Sequence, residues 1–156
     1  MRSAIDGVIL RELRVIPTSG GPVLHMMRPA LLDTLEMVDG ARLNIGEVYF
    51  SETEAGRVKA WKCHTRQTQR FAVPSGRLKI VLYDDRANSP SRGRLEEHTL
   101  GRPDAYWLLC VPPLVWYGFA ALGDTPALLC NCPDLPHDPA EALRRDMNTP
   151  DIPYRW

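Results

Sequence analysis

The sequence predicts an all-β, mainly antiparallel barrel. Apolar residues recur with period two in short runs, and Gly, Pro, Asn and Asp bound those runs at close intervals, as strands joined by turns require. The 14 prolines fall mostly between the runs, at turns and strand edges where a missing N–H is tolerated. Helix start signals are scarce.

In chain order the runs predict strands over Gly7–Ile16, Val23–Met27, Leu43–Glu52, Val58–His64, Gln69–Val73, Arg77–Tyr83, Leu95–Leu100, Ala105–Val111, Val115–Ala121 and Ala127–Cys132. Pro74 presets φ and Gly76 tolerates a positive one, so Val73-Pro74-Ser75-Gly76 reads as a tight turn closing a hairpin between Gln69–Val73 and Arg77–Tyr83. One short C-terminal helix is expected: Asp138 supplies an N-cap, Pro139 the first helical position and Glu141 a carboxylate in the first turn, with the helix running to Met147. The final stretch, Pro150-Asp151-Ile152-Pro153-Tyr154-Arg155-Trp156, is too proline-rich for a helix and too aromatic for a solvated tail, so it should pack on the barrel.

A chain of 156 residues fits one domain, spanning 1–156, with a sizeable core. Nineteen basic residues balance 19 acidic ones, so no global field draws the chain to nucleic acid or to an anionic membrane. No apolar run is long enough to cross a bilayer, and Met1–Asp6 lacks the apolar core of a leader peptide, which points to the cytoplasm. Cys63, Cys110, Cys130 and Cys132 sit in apolar runs without zinc-site spacing and read as reduced, buried thiols.

The stretch Gly56 to Gly76 carries the chemistry. Lys62 and His64 are separated by one residue, so on a strand they point to the same face, with Val58 and Ala60 beside them and Lys59, Trp61 and Cys63 opposite unless a bulge intervenes. The spacing Gly56, Lys62-x-His64, Gln69, Gly76 resembles the first cupin motif, and Pro112 through Phe119 resembles the second, with Tyr117 where that motif has histidine. The resemblance implies a jelly-roll barrel around a small polar pocket. Three of the motif's metal-ligand positions hold Lys62, Gln69 and Tyr117: an ammonium offers no lone pair and an amide is a weak ligand. No metal and no cofactor is therefore expected.

Within cupins the resemblance narrows. The loop Asp84-Asp85-Arg86-Ala87-Asn88-Ser89-Pro90-Ser91-Arg92-Gly93 is similar to the D-x-R-x-x-S-P-T-x-G loop of the dTDP-4-dehydrorhamnose 3,5-epimerase family. Val111–Phe119 and Cys132–Glu141 resemble two further segments of that family in the same order. This implies a homodimeric jelly roll acting on carbons next to the keto group of a nucleotide-linked sugar. Aligned by motif, Lys62 takes the position of the family's base, Lys59 that of a substrate-binding arginine, Gln69 that of a lysine, Tyr117 that of a second histidine and Cys130 that of the acid tyrosine.

Lys62, Tyr117 and Cys130 are thus the candidate catalytic residues, and Lys59, His64, Gln69 and Asn131 the candidate substrate-binding ones. In one reading, desolvation lowers the pKa of Lys62 so that it takes a proton next to a carbonyl, while Tyr117 or His64 handles the enolate oxygen. In the other, the same side chains form a non-catalytic recess for a sugar or nucleotide.

Overall fold

The computed structural model describes residues 3–28 and 44–156. Twelve strands are formed among them: β1 (Ile9–Glu12), β2 (Val15–Ile16), β3 (Val23–Leu24), β4 (Tyr49–Thr53), β5 (Val58–His64), β6 (Gln69–Ser75), β7 (Arg77–Asp84), β8 (Leu95–Gly101), β9 (Trp107–Val111), β10 (Val115–Ala121), β11 (Ala127–Asn131) and β12 (Ala142–Arg144). They build a five-stranded sheet ordered β1-β9-β6-β11-β4, a second five-stranded sheet ordered β12-β5-β10-β7-β8, and a small β2-β3 pair. All the pairings are antiparallel.

The period-two pattern decides which residues meet between the sheets. Phe71, Val73, Leu109, Val111 and Leu129 from one sheet pack on Leu78, Ile80, Leu82, Tyr117 and Phe119 from the other in one buried cluster. The alternate residues face outward. On the first sheet Ala72, Leu108 and Cys110 gather with Tyr106; on the second, Trp61, Cys63, Val81 and Trp116 gather under Ile152, Tyr154 and Trp156. The C-terminal tail packs on the barrel as its aromatic composition predicts, and the Lys79 ammonium sits 5.5 Å from the rings of both Tyr154 and Trp156.

Several elements differ from the sequence expectation. Gly76 has the positive φ predicted for it, 71°. However, Val73–Gly76 closes no hairpin: β6 and β7 lie in different sheets, and the turn carries the chain from one layer to the other. Gly7–Ile16 divides into β1 and β2, and Leu43, where a strand was expected to begin, lies outside the described residues. The C-terminal helix is absent. The Asp138 carboxylate accepts the Ala140 N–H at 3.0 Å and its carbonyl accepts the Glu141 N–H at 3.1 Å, as in a helix start, but the chain then extends as β12. Pairing Ala142–Arg144 with the free edge of β5 satisfies backbone groups that a helix would leave open there.

The family-like loop after β7 is a structural knot. Asp84 is fully buried, and its carboxylate accepts Arg86 Nε at 2.8 Å, Ser89 Oγ at 2.5 Å and Ser91 Oγ at 2.6 Å. Arg86 also donates to the carbonyl of Asp6 at 2.7 Å, tying the loop to the N-terminal segment. Burial alone would raise the Asp84 carboxyl, but these donors hold it well below the usual carboxylate range. A depressed folded pKa contributes stability above the unfolded value of about 3.9 and loses it as pH falls. Asp84→Asn is expected to cost about 2–4 kcal/mol in urea denaturation at pH 7, the scale for a buried carboxylate separated from its charged partner, with the difference from wild type shrinking toward pH 2.

Candidate active site

Cross-strand register places three functional side chains in one row. Lys62 on β5 lies directly opposite Tyr117 on β10 and, on its other side, opposite Arg144 on β12. All three line a cavity of about 390 Å³ at the mouth of the barrel, with Tyr49, Ser51, Phe71, Phe119 and Leu129 among the other walls. A larger cleft of about 650 Å³ runs along Ser3–Arg11 against Pro90 and Ser91, but it holds none of these three side chains.

Two residues beyond Lys62, His64 points to the same interior and is buried. Its Nδ1 lies 2.5 Å from Glu141 Oε2, and its Nε2 lies 3.1 Å from the Tyr117 hydroxyl. The other oxygen of Glu141 accepts the backbone N–H groups of Arg66 at 2.6 Å and Gln67 at 2.8 Å. Burial would raise the Glu141 carboxyl, but these donors and the His64 ring hold it below the usual range. A carboxylate at Nδ1 accepts, so the ring proton sits on Nδ1 and Nε2 is left to accept the Tyr117 O–H. Burial pushes the His64 pKa down despite the raising effect of Glu141, and burial raises the Tyr117 phenol well above its ordinary value. Glu141, His64 and Tyr117 thus form a hydrogen-bonded chain of carboxylate, neutral imidazole and neutral phenol that ends at the cavity.

Lys62 is half-buried. Desolvation lowers its pKa, the Arg144 guanidinium lowers it further, and Glu141 and Glu47 oppose the shift. On the facing wall Gln67, Gln69, Asn131 and Tyr49 form a hydrogen-bonded chain, with Gln69 to Gln67 at 2.7 Å, Asn131 to Gln69 at 2.6 Å and Asn131 to the Tyr49 hydroxyl at 2.8 Å. Lys59 bridges the mouth, its ammonium 3.0 Å from Ser51 Oγ and 2.5 Å from the Glu52 carbonyl.

The structure therefore gathers Lys62, Tyr117, His64, Gln69, Asn131 and Lys59 around one barrel interior. Lys59 reaches the cavity through a shift of register between Tyr117 and Phe119, which puts it opposite Phe119 and reverses the parity expected from Lys62. Cys130 does not join them. Its neighbours Leu129 and Asn131 face inward, whereas Cys130 lies opposite Ala72, which packs with Tyr106 on the outer face. It therefore cannot pass a proton to a ligand in the cavity. Among the described residues no three His, Cys, Asp or Glu side chains converge as a metal site. Glu141, Arg144 and Tyr49 are not singled out by the sequence: Glu141 reads as a first-turn helix carboxylate, Arg144 as helix surface, and Tyr49 as one more strand residue. Strand parity with Ser51 and Thr53 is the signal that would have placed Tyr49 inside.

A two-sheet jelly roll with an open mouth beside β5 and β10 is a cupin, and this one carries titratable side chains on its floor. No family model matches the chain. It is 36% identical over 130 residues, 83% of its length and 78% of the relative's, to the probable low-salt glycan biosynthesis epimerase Agl13 of Haloferax volcanii. Among solved structures it is 54% identical to a dTDP sugar isomerase from Desulfovibrio desulfuricans G20, with a TM-score of 0.89 over 97% of this chain and 92% of that one. A dTDP-4-dehydrorhamnose 3,5-epimerase from Bacillus anthracis, with TDP and pyrophosphate bound, shares the fold at a TM-score of 0.84 over 100% of this chain and 88% of that one, at 20% identity. The chain belongs to the dTDP-4-dehydrorhamnose 3,5-epimerase-like cupins, a family of sugar epimerases and isomerases.

A histidine whose folded pKa is lowered binds fewer protons than the unfolded chain at the same pH. Its contribution to stability is present above the unfolded pKa of about 6.5 and is lost as pH falls. Unfolding free energy should accordingly decline between about pH 7 and pH 5 in the wild type, and His64→Gln should flatten that decline. An unchanged slope in the variant would show that His64 is not held neutral.

Proposed function

We propose that this protein moves a proton next to the carbonyl of a nucleotide-linked sugar, as an isomerase or epimerase that needs no metal. The observation that carries the reading is the pairing of Lys62 with Tyr117 across β5 and β10, one with a lowered pKa and the other backed by the buried His64–Glu141 pair. Neutral Lys62 takes the proton on the carbon beside the carbonyl, and the electron pair of the broken C–H bond moves toward the oxygen. The new ammonium stays close to the charge it created. Tyr117, its O–H held by His64 Nε2, fixes the floor of the cavity, and the Arg144 guanidinium beside Lys62 stabilises the charge that develops on that oxygen. Arg144 and Lys59 place positive charge at the mouth, suited to the phosphates of a sugar nucleotide. A dTDP-linked sugar is the substrate class we favour, supported by the dTDP sugar isomerase at 54% identity.

The same reading covers the setting. We infer a homodimer working in the cytoplasm, supported by the family, by four free thiols and by the exposed Val48 and Phe50 at the edge strand β4. No helix among the described residues is long and apolar enough to cross a membrane.

Two measurements test this reading. With dTDP-4-keto-6-deoxyglucose in D2O, deuterium should enter next to the carbonyl at a rate that rises with pH through a pKa below the usual lysine value of about 10.4. Lys62→Met should lower that rate by about 10²–10⁴ while dTDP binding by calorimetry survives. Binding without exchange in the wild type at any pH would instead mark a non-catalytic sugar-nucleotide module. Purified protein should also hold well under one equivalent of transition metal, and chelator should leave its melting temperature unchanged, because Lys62, Gln69 and Tyr117 occupy the cupin ligand positions. Stoichiometric metal lost on His64→Ala would overturn this.

A further inference from the structure

We propose that Tyr49 is the proton donor of this site, acting from the wall opposite Lys62; this rests on the proton-transfer reading above. The polarity of the hydrogen-bonded chain behind it carries the argument. At one end Gln67 Nε2 donates to two backbone carbonyls, those of Leu135 at 2.7 Å and Pro136 at 3.2 Å. Carbonyls only accept, so Gln67 presents Oε1 to Gln69, which must donate its Nε2 protons. Gln69 then presents Oε1 to Asn131. At the other end the backbone N–H of Arg70 donates to Asn131 Oδ1 at 3.1 Å, which fixes that amide the same way round. Asn131 Nδ2 has two protons: one goes to Gln69 and the other to the Tyr49 oxygen at 2.8 Å. The Tyr49 hydroxyl therefore accepts from the protein and has its own proton left to give.

The direction of that gift follows from the fold. Tyr49 alternates with the exposed Phe50, so its ring faces inward, and it lines the cavity with Lys62 and Tyr117. Tyr117 is differently placed, because its proton is already engaged by His64 Nε2. β4 and β5 belong to opposite sheets, so Lys62 and Tyr49 approach a ligand in the cavity from opposite sides. That is the arrangement inversion of a carbon centre needs. Lys62 removes the proton from one face and forms an N–H bond. The Tyr49 O–H bond then breaks as a new C–H bond forms on the other face. The phenolate left behind keeps the Asn131 amide as a donor and recovers a proton from water at the mouth, while Lys62 returns its own to solvent. Cys130, on the strand next to β4, faces away, so the hydroxyl that its sequence position suggests is supplied instead by the neighbouring strand.

Tyr49→Phe removes one hydroxyl from a half-buried ring and leaves the wall intact. The test follows dTDP-4-keto-6-deoxyglucose in D2O by NMR, scoring deuterium entry into recovered substrate separately from inverted product. Tyr49→Phe should keep deuterium entry within about threefold of wild type while inverted product falls by about a hundredfold or more. Unchanged product formation, or equal loss of exchange and inversion, would overturn the role of Tyr49 and leave the Lys62 reading standing. Absence of exchange in the wild type would overturn that reading and the inference with it.

Discussion

The site depends on the contact between His64 and Glu141. A carboxylate in a barrel wall is costly unless its lone pairs are taken up, and here two backbone N–H groups and a ring N–H take them. That satisfaction does three things at once. It fixes the turn after β5 at Arg66 and Gln67, it anchors the chain just before β12, and it sets the histidine tautomer that holds Tyr117. Were Glu141 at a helix start, each of these would need its own solution.

The barrel supplies the rest by register. Antiparallel pairing puts Arg144, Lys62 and Tyr117 side by side across three strands, so guanidinium, ammonium and phenol share one wall without any loop to position them. The proximity of the first two disfavours a charged Lys62, which makes Arg144 a tuner of the lysine. The opposite wall is built from amides, whose donors and acceptors cannot titrate, and its polarity is set by backbone groups at both ends.

Much of this was legible in the chain. Val58–His64 and Val115–Ala121 form strands over the ranges their alternation gives, and the shared face of Lys62 and His64 follows from parity. The cupin and epimerase-like motifs identified the family, because motif spacing along paired strands survives even where the ligand side chains have changed. What parity could not show is where it breaks. The register shift in β5 turns Lys59 inward, and a motif alignment at Cys130 takes no account of which face of β11 that residue occupies. The turn at Val73–Gly76 reads the same whether the chain returns to its own sheet or crosses to the other. Asp138-Pro139-Ala140-Glu141 begins a helical turn in either outcome, and only the unpaired edge of β5, a non-local fact, decides for a strand.

β12 spans three residues at the rim of its sheet, with Arg145 bonded to Trp61 just beyond it, and it carries Arg144 and follows directly on Glu141. Strand edges of this length open more readily than the barrel around them. Were β12 to lift, the guanidinium, the carboxylate and the histidine tautomer would be lost together. On the proposed reading, the fraction of molecules able to act at any instant would be the closed fraction of this one short strand. Its amide exchange, read separately from the core's, would report how much of a well-folded sample is assembled for chemistry.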